Sequence, residues 1–254
     1  TGVQTCALPI SRLEVFRLIK LATTILRNIS LKQPKSSKMK AKIKSILRPY
    51  YRQLIYFLKG FRRIGLKTNQ FTIISNNCTG GYVYQFFGIP YRSPTAGIGI
   101  HPDDYVKLIM NPHYYFTQPI DFLSDPKRAR HYPQRKNAPN YGNYPVGTEI
   151  FFTHYHSKEE ARSKWERRCS KICYEKLIFL FVENEWMTEK ERQTFLSAQT
   201  KGKKIYLRHT HPEIPPISQA GEIYVPNVPI RNGIAAWTPK IIINNIHWKK
   251  VINS

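Results

Sequence analysis

The sequence predicts an α/β fold: a mostly parallel sheet covered by helices, preceded by an N-terminal basic amphipathic helical arm. Three observations predict it. Short apolar runs alternate with polar helical stretches through the second half of the chain. Two of those stretches open with a Ser/Thr-x-x-Glu capping pattern. Positive charge is concentrated before residue 70. Strand, helix, strand, helix, strand at these lengths calls for right-handed crossovers between parallel strands.

The 254 residues suffice for one large domain with a sizeable core. With 41% hydrophobic and 13% aromatic residues the chain is globular rather than disordered. Its formal net charge of +24 asks for an anionic partner. Residues 11–70 hold 16 of the 40 Lys/Arg and one of the 16 acids, Glu14, so much of the excess is an arm rather than a face of the domain. Thr1 to Ile10 resembles the in-frame translation of a sequencing adapter and is set aside from fold reasoning. The expected organisation is therefore 1–10 artefact, 11–70 basic helical arm with a natural start at Met39 as one option, and 71–254 a single α/β domain. Without Cys6, the three cysteines Cys78, Cys169 and Cys173 form no disulfide framework, which fits a reducing compartment. The apolar run from Leu13 to Ile29 is interrupted by Arg17, Lys20 and Arg27, unlike a membrane-spanning helix.

Along the chain, Gln33 to Lys38 reads as a linker. From Ala41 to Phe61, Ile43, Ile46, Leu47, Tyr50, Leu54, Phe57 and Leu58 recur at helical spacing among basic residues, with Pro49 starting or kinking a helix. Two readings fit: residues 41–63 lie on an anionic membrane surface, or the helix packs on the domain. Phe71 to Ser75 is a buried strand, and Tyr82 to Phe87 a helix with Gly88 as its C-cap. Asp103 and Asp104 open a helix from Tyr105 to Met110, and Asp125 to Gly147 is a long irregular loop. Glu149 to Tyr155 is a strand, and Ser157 caps a helix to about Lys171. Leu177 to Val182 is a buried strand, and Thr188 caps a helix ending near Gly202. Lys204 to Arg208 is a further strand, and Ile223 to Val225 and Ile241 to Ile243 are expected to add edge strands.

Open parallel sheets bind ligands outside the carboxyl ends of their strands. The expected rim comprises Asn76 to Gly81, His154 to Ser157, Glu183 to Glu185, and His209 to His211. Asn76-Asn-Cys-Thr-Gly-Gly81 suits backbone anion binding at a helix N-terminus, with Asn76, Asn77, Gly80 and Gly81 lining the site. It lacks the Gly-Lys-Ser/Thr of a nucleotide-binding P-loop. A tight turn with a buried Cys78 fits the same residues. Alternatively Cys78 is a nucleophile, with His154 as its base and Glu183 or an Asn as the orienting group. Arg168, on the Trp165 face of its helix, is the better inward-facing anion ligand, with Tyr155 and Ser157 beside it. The pairs His154/His156 and His209/His211 raise a metal reading, but no motif fixes an acidic ligand, so neither metal nor cofactor is expected.

Phe71-Thr-Ile-Ile-Ser-Asn-Asn-Cys-Thr-Gly-Gly81, Tyr91-Arg-Ser-Pro-Thr95, Asp104-Tyr105, Tyr144-Pro-Val-Gly147, His154-Tyr-His-Ser157, Glu160-Ala161 and Trp165-Glu-Arg-Arg168 resemble, in order, the family called domain of unknown function 1919. Its members are often labelled exopolysaccharide or capsule biosynthesis proteins. The resemblance covers roughly residues 71–200 and implies an α/β fold and a role in making cell-surface polysaccharide. Beyond Arg168 the chain departs from the usual pattern, with Cys169-Ser-Lys-Ile-Cys173 and Glu183-Asn-Glu-Trp186, so an acidic role falls to Glu183 or Glu185. The expected function is a transferase acting on phosphorylated sugar or lipid-linked glycan at the inner face of a bacterial membrane. The alternative is a non-catalytic glycan- or phosphate-binding accessory protein. No motif for specific nucleic-acid recognition is present.

Overall fold

The computed structural model describes residues 48–49, 55–123, 142–143, 148–209, 221–231 and 234–254. The chain divides into two compact units, Thr1–Tyr56 and Phe57–Ser254. The linker, Met39, the Leu13 to Ile29 run, nearly all of the Asp125 to Gly147 loop, and Thr210 and His211 lie outside the described residues.

The strands of the second unit are β1 (Thr72–Ser75), β2 (Gly99–Ile100), β3 (Gly142–Asn143), β4 (Glu149–Phe151), β5 (Leu177–Val182), β6 (Lys203–Arg208), β7 (Glu222–Tyr224), β8 (Ile230–Arg231) and β9 (Ile234–Ala235). Its helices are α1 (Gly80–Phe87), α2 (Pro102–Met110), α3 (Pro112–Thr117), α4 (Lys158–Cys169), α5 (Glu189–Ser197), α6 (Pro239–Asn244) and α7 (Trp248–Asn253). Helical residues 57–62 precede α1.

The centre is a four-stranded, all-parallel sheet in the order β1-β5-β6-β7. β5 reads Leu-Ile-Phe-Leu-Phe-Val and is buried throughout, as a strand covered on both faces must be. Its alternate residues enter two cores. Phe179 and Phe181 join Ile74 and Tyr206 beneath α2, α4 and α5, through Tyr105, Leu108, Trp165 and Phe195. Ile178, Leu180 and Val182 join Ile73, Ile205 and Leu207 beneath α1, α6 and α7, through Val83, Tyr84, Phe87, Ile242 and Trp248. Each such phenylalanine contributes about 1.5–3 kcal/mol by leaving water. The fold is α/β, as the alternating pattern predicts, and β7 is the edge strand expected near Ile223 to Val225.

Two expectations are corrected. Glu149 to Tyr155 does not supply a strand to the parallel sheet. β4 spans only Glu149–Phe151 and belongs to a separate antiparallel sheet, β2-β4-β3. The buried Asp104 carboxylate receives the Glu149 N–H at 3.2 Å, tying β4 to α2. Ile241 to Ile243 is helical, not extended. Thr238 Oγ1 accepts the Ile241 N–H at 3.4 Å and Pro239 presets the first helical φ, so α6 forms and buries Ile242.

Other signals hold with small shifts of boundary. Gly88 ends α1 at φ 65°, a left-handed conformation that favours glycine. Ser157 caps α4, and both halves of the Thr188/Glu191 capping box open α5. The described end of the basic segment packs on the domain. Arg62 donates to the Phe86 carbonyl at 3.1 Å and covers its ring, and Asn253 bridges Lys67 and Gly65. Phe61 and Ile64 stay exposed. Among the described residues no helix is long and apolar enough to cross a membrane.

Candidate functional site

The loop after β1 is held mainly by its own polar atoms. The Asn76 side chain continues the sheet: Nδ2 donates to the Val182 carbonyl at 2.9 Å, and Oδ1 accepts the Val182 N–H at 3.0 Å. Ser75 Oγ accepts the Gly80 N–H at 3.2 Å, and Asn77 Oδ1 accepts the Thr79 N–H at 3.0 Å. The Gly81 and Tyr82 N–H groups donate to the carbonyls of Cys78 and Thr79. An anion at this end of α1 has to displace these bonds, so the amides of Gly80 and Gly81 are not an open cradle. A Cβ on Gly80 would lie 2.7 Å from Ser75 Oγ, which explains the glycine by packing. Cys78 is half-buried, its Sγ 3.9 Å from Tyr82 Oη. Burial first, then Cys78, pushes the Tyr82 hydroxyl up to about 12.

His154, Tyr155 and Arg168 approach this loop, but not along a shared parallel rim. The intermediary is the segment 91–100. On one side Thr95 Oγ1 accepts the Ser75 N–H at 3.0 Å, and the Ile100 N–H donates to the Asn76 carbonyl at 2.7 Å. On the other, His154 N–H donates to the Gly97 carbonyl at 3.3 Å, and Tyr155 Oη donates to the Ala96 carbonyl at 2.8 Å. Arg168 Nη1 donates to the same Ala96 carbonyl at 2.6 Å and to Tyr155 Oη at 2.5 Å. Its guanidinium lies 5.1 Å from the Tyr91 ring centre. Gly81 packs beside both Tyr91 and Ala96. Arg168 is 8% exposed and forms no ion pair with a carboxylate among the described residues. Burial raises the Tyr155 hydroxyl pKa, and Arg168 opposes the rise. Ser157 Oγ accepts the Glu160 N–H at 3.1 Å as a helix cap, and His154 and His156 are exposed.

The carboxyl edge of the parallel sheet holds a second constellation. Glu183 follows β5, and His209 follows β6. Glu183 Oε2 accepts the His209 backbone N–H at 2.6 Å and lies 2.8 Å from His209 Nδ1, off the direction of a ring hydrogen bond. Tyr206 Oη donates to Glu183 Oε1 at 3.4 Å, and Trp237 Nε1 donates to the Glu183 carbonyl at 2.9 Å. The His209 ring meets Trp237 edge-on at 5.5 Å. The side chains of Glu183 and His209 are 13% and 11% exposed. Burial, followed by the Glu183 charge, raises the Tyr206 hydroxyl pKa. On the same face, Arg192, Arg208 and Glu222, whose side chain is 3% exposed, gather where β6 meets β7.

A family model described as Domain of unknown function (DUF1919) matches residues 50–225. The chain belongs to this family. The DUF1919 match reaches past residue 200, where the motif resemblance stops, and so takes in Arg208, His209 and Glu222. An uncharacterized protein of Haemophilus influenzae is 32% identical over 150 residues, covering 57% of this DUF1919 chain and 66% of that relative. The chain thus spans just under two thirds of that relative's length.

Sequence reasoning places Glu183 and His209 at strand ends but offers Glu183 to His154 and His209 to His211. The structure gives Glu183 to His209. Arg208 and Glu222 carry no sequence signal as site residues, because only strand order places them together.

Proposed function

We propose that this DUF1919 protein is an enzyme of bacterial exopolysaccharide or capsule biosynthesis, transferring a phosphate-activated sugar or glycan at the inner membrane face. The observation that carries the reading is the Glu183–His209 pair at the carboxyl ends of two adjacent parallel strands, where open α/β sheets bind their ligands. Transfer to a hydroxyl needs a base for the acceptor's proton. A carboxylate beside Nδ1 can orient the imidazole and leaves Nε2 for the acceptor. In this reading the proton-transfer role that the sequence offers to Cys78 and His154 passes to His209, which has the Glu183 carboxylate 2.8 Å from its Nδ1. The net charge of +24 suits a phosphorylated substrate, and Arg168 adds a nearly buried cation beside Tyr91 and Tyr155. Exposed Phe61 and Ile64, flanking Arg62 and Arg63, suit contact with an anionic membrane surface.

The test is deletion of the gene followed by compositional analysis of the surface polysaccharide. Loss of a residue or substituent, restored by the wild-type gene, is expected. An unchanged polysaccharide sinks the reading. Full product from His209→Gln with loss in Arg168→Ala favours the accessory binding protein instead.

A further inference from the structure

Arg208 closes β6 and is only 4% exposed. Its nearest carboxylate is Glu222, with Oε1 3.2 Å from Nε, but the Nε–H does not point along that line and makes no hydrogen bond. Glu222 is already engaged. Arg192 grips it with both edges of its fork, Nε to Oε1 at 3.2 Å and Nη2 to Oε2 at 2.8 Å, and gives Nη1 to Glu189 at 2.6 Å. The Tyr224 ring lies 5.5 Å from the Arg208 guanidinium carbon. Among the described residues no side-chain N–H of Arg208 enters a hydrogen bond, whereas Arg192 is bonded from all three of its nitrogens.

Buried donors are almost always satisfied, and a buried guanidinium without hydrogen bonds marks a place where a missing partner belongs. An arginine kept for stability would complete its own fork, and here the fork on Glu222 belongs to Arg192. Position indicates the partner. Tyr206 and Arg208 are two apart on β6 and share a face, and Tyr206 Oη reaches Glu183. An anion on Arg208 therefore lies on the Glu183 side of the sheet, at its carboxyl edge. Planar guanidinium forks match phosphate oxygens bidentately.

We infer that Arg208 binds a phosphate group of the ligand, with Arg192, Glu222 and Tyr224 holding the guanidinium in place. Only the choice of phosphate as the anion rests on the proposed function. The group belongs either to a soluble sugar nucleotide or to a lipid-linked glycan.

The test is calorimetric titration of the full chain with inorganic pyrophosphate, comparing wild type with Arg208→Lys and Arg208→Gln. Wild type binds, Arg208→Gln loses about 10- to 100-fold in affinity, and Arg208→Lys falls between. Ligand-free Arg208→Gln keeps or raises the melting temperature, because a buried charge without hydrogen bonds is gone while Glu222 keeps Arg192, whereas loss of a purely structural arginine lowers it. No pyrophosphate binding by wild type, or equal affinity in all three proteins, overturns the inference. So does a lowered melting temperature in Arg208→Gln with unchanged affinity. Parallel titrations with a nucleoside diphosphate and with vesicles carrying a polyprenyl phosphate identify the source, Arg208 dependence in either arm being the supporting result. Dependence in neither arm is a contradiction. Because binding is read directly, failure here is distinct from an unchanged polysaccharide in the deletion strain.

Discussion

Glu183 Oε2 accepts the backbone N–H of His209 at 2.6 Å and lies 2.8 Å from its Nδ1, so a carboxylate at the end of one parallel strand anchors the backbone at the end of the next and lies beside its imidazole. That arrangement has a stability consequence. Glu183→Ala strands the His209 N–H and the Tyr206 hydroxyl and is expected to cost about 1–3 kcal/mol. Glu183→Gln keeps an acceptor and costs less. Urea unfolding of the two variants checks the order, and equal stability of both with wild type contradicts the pairing.

Asn76 acts as one more residue of sheet. Asn76→Ala leaves both backbone groups of Val182 without partners in a buried setting, an expected loss of about 2–3 kcal/mol by denaturant unfolding. Asn76→Asp retains the acceptor for the Val182 N–H but sets a carboxylate against the Val182 carbonyl, and is expected to be no better than alanine. A silent Asn76→Ala contradicts the strand-extending role.

Arg168 ties α4 to the segment that walls the Ser75 to Gly81 loop. Tyr155→Phe removes the hydroxyl that receives Arg168 and donates to Ala96, at an expected cost of about 1 kcal/mol in chemical unfolding. Arg168→Lys is expected to destabilise more than Tyr155→Phe, because an ammonium cannot keep the planar geometry over Tyr91. Lysine as stable as arginine contradicts it.

Cys169 gives a pH signature. Burial first, then Glu166, pushes its thiol up to about 12 from the ordinary 9.0. At pH 8 the thiolate fraction is on the order of 1 in 10,000 rather than about 1 in 10, so iodoacetamide labelling is expected to be roughly a thousandfold slower than for an unperturbed thiol. Between about pH 9 and 12 the folded state holds the proton more tightly than the unfolded chain does. This contribution to stability is therefore fully present below pH 9 and lost as pH rises toward 12. Labelling followed by mass spectrometry, and unfolding of Cys169→Ala across that window, check it. Rapid labelling of Cys169 in the folded protein contradicts it.

Much of the fold is legible in the sequence because burial leaves a local mark. The unbroken apolar run of β5 announces a strand covered on both faces, and the Ser157 and Thr188 patterns announce helix starts. The antiparallel sheet is not legible, because β2 and β3 are two residues each and too short to carry a period, so β4 reads as one more parallel strand. At Ile241 to Ile243 three β-branched residues outweigh the helix-opening Thr238-Pro239 pair that prevails in the structure. In the loop after β1, glycine-rich spacing signals an anion cradle equally well whether or not Ser75 and Asn77 already hold the amides. Glu183 and His209 are 26 residues apart, and only the β5–β6 neighbour relation brings them within reach of each other.

The most direct test of the central claim is the surface polysaccharide made by a deletion strain carrying His209→Gln in place of the wild-type gene, with the variant's fold verified by its unfolding midpoint. A proton-transfer role at His209 predicts loss of product by about 100-fold or more from a folded protein. Full product from folded His209→Gln contradicts it.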